Sequence, residues 1–193
     1  MSSYESNAVL IEKAIPSEFS IKIANTLEER EEVFKLAYQV YLEKGFVNPN
    51  GNEWLVQNYD ANQDTVILMV QDQEKKLAGT VTIVFDGSSK LPAEKIYREE
   101  LSALRNNGRK MAEISRLVIS PHYRNSKDIL VLLFNYLCIH IHQNKSYNSL
   151  VIQVNPRHKN YYKTLLNFDE IGLEKPCPQV KNAPAVLLQL SVS

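Results

Sequence analysis

Apolar residues along the chain switch between a spacing of two and a spacing near that of a helical turn, and the switches delimit the elements. Phe19, Ile21 and Ile23 alternate with polar residues and predict a first strand. Thr26-Leu-Glu-Glu29 has capping-box spacing, and the helix behind it carries Val33, Leu36, Ala37, Val40 and Tyr41 on one face until Gly45 stops it. Asn48-Pro-Asn-Gly51 is a turn cluster, so residues 46–60 read as an irregular cap around a short helix bearing Trp54 and Leu55. Thr65–Val70 and Leu77–Phe85 read as two strands of an antiparallel hairpin around the charged turn 72–76. Ala93–Leu104 reads as a helix closed by Asn106-Asn-Gly108.

The next stretch organises the rest. An apolar strand, Met111–Ile119, meets Pro121, which cannot continue a ladder. A short polar loop offers Asn125 or Ser126 as N-cap for a strongly apolar helix from Asp128 to Gln143. A helix N-terminus opposite a strand end suits an anion such as a phosphate. Leu150–Val154 follows as a buried strand, Asn155-Pro-Arg-His158 turns into a short helix, and Phe168–Leu173 and Ala185–Val192 close the chain as strands. This order predicts an α/β layer fold with a mixed sheet, its β-α-β crossovers around Asp128 and Arg157 right-handed. Residues 1–18 are expected to form a loosely ordered lead-in and residues 19–193 a single domain.

Composition narrows the function classes. Lys plus Arg and Asp plus Glu both number 22, for a formal net charge of zero. A general nucleic-acid binder carries a basic excess, so no nucleic-acid partner is expected. The first residues lack the basic region of a signal peptide, and no apolar run approaches a membrane span, so a cytoplasmic protein without an integral membrane segment is expected. Of the two cysteines, Cys138 reads as a small core residue in an apolar helix and Cys177 as part of a loop between Pro176 and Pro178. His140 and His142 point to different helix faces, and no Cys/His cluster has zinc spacing, so no metal is predicted.

Strand, polar turn with arginine, helix, buried strand, Asn-Pro and a tyrosine-bearing helix is an order that resembles the GNAT acyltransferase fold. Tyr59-Asp60, Ala78-Gly-Thr-Val81, Leu91-Pro92, Glu113-Ile-Ser-Arg-Leu117 and His158-Lys-Asn-Tyr-Tyr162 look like the N-acyl amino acid synthases, relatives of the acyl-homoserine-lactone synthases. The resemblance covers roughly Phe19 to the C-terminus. It implies a mixed, mostly antiparallel sheet with helices on both faces. It also implies transfer of a long-chain acyl group from an acyl-phosphopantetheine thioester to an amino acid's amine. The donor would be acyl carrier protein, or else acyl-CoA. The loop Arg124-Asn-Ser-Lys-Asp128 has no glycine where CoA-using members of the fold carry a glycine-rich turn, which favours acyl carrier protein.

Residue roles follow from the same resemblance. Glu113, at the start of a buried strand, is the candidate base, because desolvation raises a carboxyl pKa toward neutrality; an ion pair with Arg116 or Arg109 is the alternative. Tyr162 is the candidate proton donor to the departing thiolate. A backbone N–H near Leu117 or Val118 would stabilise the oxyanion. Arg124, Asn125, Ser126 and Lys127 would hold the phosphate. Tyr38, Asp60, Arg116 and His158 are the candidate substrate contacts, in a region where Phe34, Tyr41, Phe46 and Trp54 would cover the acceptor pocket. Arg105, Arg109, Lys110, Arg124, Lys127, Arg157, Lys159 and Lys163 flank the expected cleft, where basic charge would steer an acidic carrier protein. Gly79 is followed by Thr80-Val-Thr82 rather than by the arginine of the lactone synthases, which argues against lactone synthesis. Two other readings stand beside this one: a CoA-dependent N-acetyltransferase, and a non-catalytic binder of an acyl ligand or carrier.

Overall fold

The computed structural model describes residues 18–87, 90–143 and 146–192. All of the expected lead-in except Glu18 therefore lies outside the described residues. Seven strands form one sheet, in spatial order β1-β2-β3-β4-β5-β7-β6. They are β1 (Phe19–Ile23), β2 (Val66–Asp72), β3 (Leu77–Phe85), β4 (Met111–Ile119), β5 (Ser149–Val154), β6 (Asp169–Cys177) and β7 (Ala183–Ser191). The helices are α1 (Leu27–Glu43), α2 (Arg98–Asn106), α3 (Lys127–Gln143) and α4 (Lys159–Leu165).

Every neighbouring pair is antiparallel except β4 with β5, which are joined through α3 and run parallel. The crossover around Arg157 is of another kind. It carries the chain from β5 through α4 to β6, with β7 inserted between the two strands.

Side-chain alternation splits the core into two layers. Ile67, Met69, Val84, Met111, Val151 and Leu187 face α1 and α2. Leu68, Ile83, Ile114, Leu150, Ile152 and Leu188 face α3 and α4. Such strands read as unbroken apolar runs because both faces are covered. α1 starts as its sequence predicts: Thr26 accepts the Glu29 N–H at 3.2 Å while the Glu29 carboxylate accepts the Thr26 N–H at 3.1 Å. α3 lies close on the sheet at Gly79, where a Cβ would come within 2.8 Å of Ile129 Cγ2.

Four sequence expectations shift. Trp54 and Leu55 belong to no helix: the segment runs irregularly past α1, Leu55 N–H donating to Phe34 O at 3.1 Å, and the helical turn falls later, at Asn58–Ala61. The helix expected at Ala93–Leu104 divides into a 3-10 turn at Pro92–Lys95 and α2. Strand β6 continues to Cys177, which is buried rather than in a loop. Cys138 lies on the outward side of α3 and is exposed.

Candidate active site

Pairing between β4 and β5 ends at Ile114 and Ile152. Beyond those residues β4 stays with β3 and β5 stays with β7, so the two strands part and open a slot through the sheet. Two sequence features enforce the parting. Asn155-Pro156 stops β5, the Asn155 side chain accepting the Arg157 N–H at 3.2 Å. On the other side, β4 carries a bulge: Thr80 pairs with Val118 and Thr82 with Ser115, leaving Arg116 and Leu117 opposite Val81. Arg116 takes a left-handed backbone, φ 49°, a conformation that costs a non-glycine residue about 1–3 kcal/mol.

The bulge reassigns faces. Without it, alternation from Met111 and Glu113 would aim Arg116 at the α3 side of the sheet. With it, Arg116 joins Val118 on the α1 side and Leu117 turns toward the slot. Asp60 waits there. Arg116 donates to Asp60 Oδ1 at 2.5 Å and Oδ2 at 2.8 Å, to Leu55 O at 2.9 Å and to Thr82 Oγ1 at 3.0 Å. Both side chains are buried, and the guanidinium lies 5.0 Å from the Phe34 ring centroid. Burial works against the arginine's charge, but the hydrogen bonds to Asp60 hold its pKa above the ordinary value. Asp60 also accepts the Gln57 N–H at 2.7 Å, so the pair ties the cap to β4.

Glu113 meets a different environment. It is 1 % exposed, accepts the Ala93 N–H at 2.8 Å and Gln153 Nε2 at 2.9 Å, and has no ion-pair partner among the described residues. Burial therefore dominates and pushes its carboxyl up to about 7. It lines a cavity of ≈ 160 Å³ on the α1–α2 side of the slot, together with Tyr59, Ser115, Arg116, Gln153 and Cys177. Tyr59 and Ser115 exchange a hydrogen bond at 3.1 Å across it. Two buried polar atoms of this wall have no protein partner, Arg116 Nε and Gln153 Oε1. One is a donor and the other an acceptor.

A second cavity, ≈ 350 Å³, occupies the α3–α4 side of the same slot, lined by Leu117, Leu130, His158, Tyr161 and Tyr162 among others. Tyr41, Phe46, Ile114, Gln153, Val154 and Asn155 border both cavities, so the two adjoin across the sheet and together make a two-chambered passage with a shared wall. Tyr162 is buried against Phe134 and Phe168, and burial raises its phenol to about 12, so it stays protonated. Lys44, Arg157 and His158 rim this side. Partial burial and the neighbouring Arg157 and Arg124 lower the Lys44 pKa, and burial, Arg157 and Lys44 lower that of His158. The rim carries two mutually repelling cations, Lys44 and Arg157, beside a His158 whose Nε2 accepts from Arg157 Nε at 3.0 Å.

The passage thus brings together Glu113, Arg116, Leu117, His158 and Tyr162 from the sequence candidates. Asp60 stands behind Arg116. Tyr38 is buried in the α1 layer with its hydroxyl accepting the Asn50 N–H at 3.1 Å, and Val118 packs in the same layer; neither borders the passage. Arg124, Asn125, Ser126 and Lys127 sit at the start of α3, outside both cavity walls, with Arg124 ion-paired to Glu43. Arg105 is held by Asp86 and Glu94, and Lys159 and Lys163 by Glu170. Sequence reasoning missed Gln153 and Cys177 as cavity residues. Gln153 left a signal, a polar residue inside the apolar run Leu150–Val154.

Among the described residues no group of three or more His, Cys, Asp or Glu side chains could hold a metal ion, and no helix is long and apolar enough to cross a membrane.

Comparison with known proteins shows the family and the fold. The family model of the N-acyl amino acid synthase FeeM matches residues 32–191. The solved structure of FeeM, an N-acyl amino acid synthase from uncultured soil microbes, is similar with a TM-score of 0.79 and 25 % identity, covering 90 % of each chain. The acyl-homoserine-lactone synthase LasI shares the fold at a TM-score of 0.68 and 19 % identity over 92 % of each chain. The CoA-dependent acyl-homoserine-lactone synthase BjaI does so at 0.67 and 14 %, covering 91 % of this chain and 83 % of its own. The search of curated proteins gives no match.

Proposed function

We propose, for a chain that belongs to the FeeM family of N-acyl amino acid synthases and is a GNAT-fold N-acyltransferase, that it moves a long-chain acyl group from acyl carrier protein to the α-amine of an amino acid. The observation that carries this reading is Glu113: a buried carboxyl, pushed up to about 7, at the wall of a passage that continues to Tyr162 across the sheet.

The thioester arm enters from the α3–α4 side. Its phosphate meets Lys44 and Arg157 at the rim, where an anion relieves the repulsion between the two cations. The amino acid occupies the smaller cavity, which the unpaired wall atoms suit: Gln153 Oε1 accepts from its ammonium and Arg116 Nε donates to its carboxylate. An α-amine with a free pKa of about 8 needs only modest help to lose its proton.

The ammonium first gives one proton to solvent, and Glu113 takes a second from the nitrogen as the neutral amine attacks the thioester carbon. The N–C bond forms, and the carbonyl oxygen becomes an oxyanion beside the backbone of the bulge at Leu117. Collapse breaks the C–S bond. The thiolate leaves toward Tyr162, which donates its phenol proton and is reprotonated through Glu113 and solvent. No covalent acyl-enzyme is formed, and holding both reactants in one slot supplies the orientation.

BjaI is described as CoA-dependent, which keeps acyl-CoA as the second donor; the glycine-free loop at Arg124–Asp128 favours acyl carrier protein. The test is a mass-spectrometric assay. Protein is mixed with the common amino acids and either palmitoyl-carrier protein, palmitoyl-CoA or acetyl-CoA. The reading expects an N-acyl amino acid from the carrier-bound donor alone. Product from acetyl-CoA alone contradicts it.

A further inference from the structure

A third cavity, ≈ 430 Å³, opens beside the acceptor cavity on the α1–α2 side and shares Gln57, Tyr59, Pro92 and Gln179 with it. It holds a charge pattern that the fold does not use. Lys90, Lys95 and Arg98 line it, and among the described residues no side-chain ion pair or hydrogen bond occupies any of them. Among the described residues the acid on its wall is Glu94, already engaged by Arg105, which is also held by Asp86 at 2.7 and 2.8 Å. The floor is apolar: Leu91 is buried, and Val56 is exposed at 53 % although it is a large hydrophobic residue.

Three free cations over an apolar floor match an amphiphilic anion. A free amino acid is a zwitterion with no net charge. Acylation removes its ammonium and leaves a net negative charge on an alkyl tail, so the site discriminates product from acceptor by charge and by apolar area.

We propose that this vestibule binds alkyl-chain carboxylates, and that it is where the N-acyl amino acid product rests after transfer, on the opposite side of the sheet from the donor. The product's identity rests on the function proposed above; the carboxylate site does not. A free fatty acid presents the same chemistry and is separated from the product in the experiment.

The test is calorimetric titration of the full chain below micellar concentrations with N-dodecanoylglycine, its methyl ester and dodecanoate, for the wild type and the double variant Lys95→Gln/Arg98→Gln. Wild type is expected to bind the acid at least tenfold more tightly than the ester. The double variant is expected to lose that advantage, bind the ester unchanged and keep its single-turnover acylation rate. Dodecanoate binding equally well marks the site as one for fatty carboxylates generally, and N-dodecanoylglycine binding tenfold better marks it as a product site. Equal affinity of both proteins for the acid, or of wild type for acid and ester, overturns the proposal. Charge-selective binding with no turnover from any donor leaves the vestibule standing and removes the proposed function. Turnover with product inhibition unaltered in the variant does the reverse.

Discussion

Glu113 and Arg116 leave the same strand toward the same face, three positions apart in sequence, and meet opposite fates. Arg116 is buried with a carboxylate partner, two further acceptors and an aromatic ring over its guanidinium. Glu113 is buried with two hydrogen-bond donors and no opposite charge. Burial alone does not decide how a charged residue behaves. A group paired with an opposite charge is fixed in one protonation state, and a group buried beside a cavity without one titrates near neutral pH.

That contrast can be broken at either end. Glu113→Gln keeps the shape and removes the base, so turnover is expected to fall about 10²–10⁴-fold. The melting temperature should not fall, and a variant that both unfolds and loses activity would assign Glu113 to structure. Asp60→Ala leaves Arg116 buried and unpaired, with an expected loss of about 3–5 kcal/mol of stability. Urea unfolding reads this, and a shift under about 1 kcal/mol would show that water reaches the arginine and screens it.

The two ends should also differ in pH dependence. The folded pKa of Glu113 lies at about 7, above its ordinary value of 4.5, so the folded state binds more protons between those limits. Stability attributable to this group is then greatest below the unfolded pKa and declines as pH rises to about 7, a loss on the order of 3 kcal/mol. Glu113→Gln should flatten that segment of the stability–pH curve, and an unchanged slope would place the responsible group elsewhere. The smallest effect is expected at Thr82→Val, which removes an acceptor from Arg116 Nη2. It should cost about 1 kcal/mol of stability and leave the acceptor KM unaltered.

Much of this arrangement was legible from residues alone, and the gaps have physical causes. Capping at Thr26, the Gly45 stop and the strand limits at β1, β3 and β4 follow from local chemistry, and the structure reproduces them. Trp54 and Leu55 were placed in a helix because apolar residues after a turn cluster look helical. In the fold their segment is held instead by one backbone bond to α1 and by the arginine reaching Leu55 O. The bulge at Arg116 leaves no mark in the spacing of Met111–Ile119, since only the partner strand reveals which residue is extra. It is also what brings Arg116 to the α1 face, where Asp60 is its partner. Gln153 was read as part of a buried strand, and it borders the passage because β4 and β5 part beside it.

The most direct test of the account is the pH dependence of kcat/KM for amino acid acylation, measured for the wild type and Glu113→Gln. The account predicts a wild-type profile that rises with an apparent pKa near 7 and loses that limb in the variant, along with most of its rate. A variant that retains the wild-type rate and the same limb would contradict it.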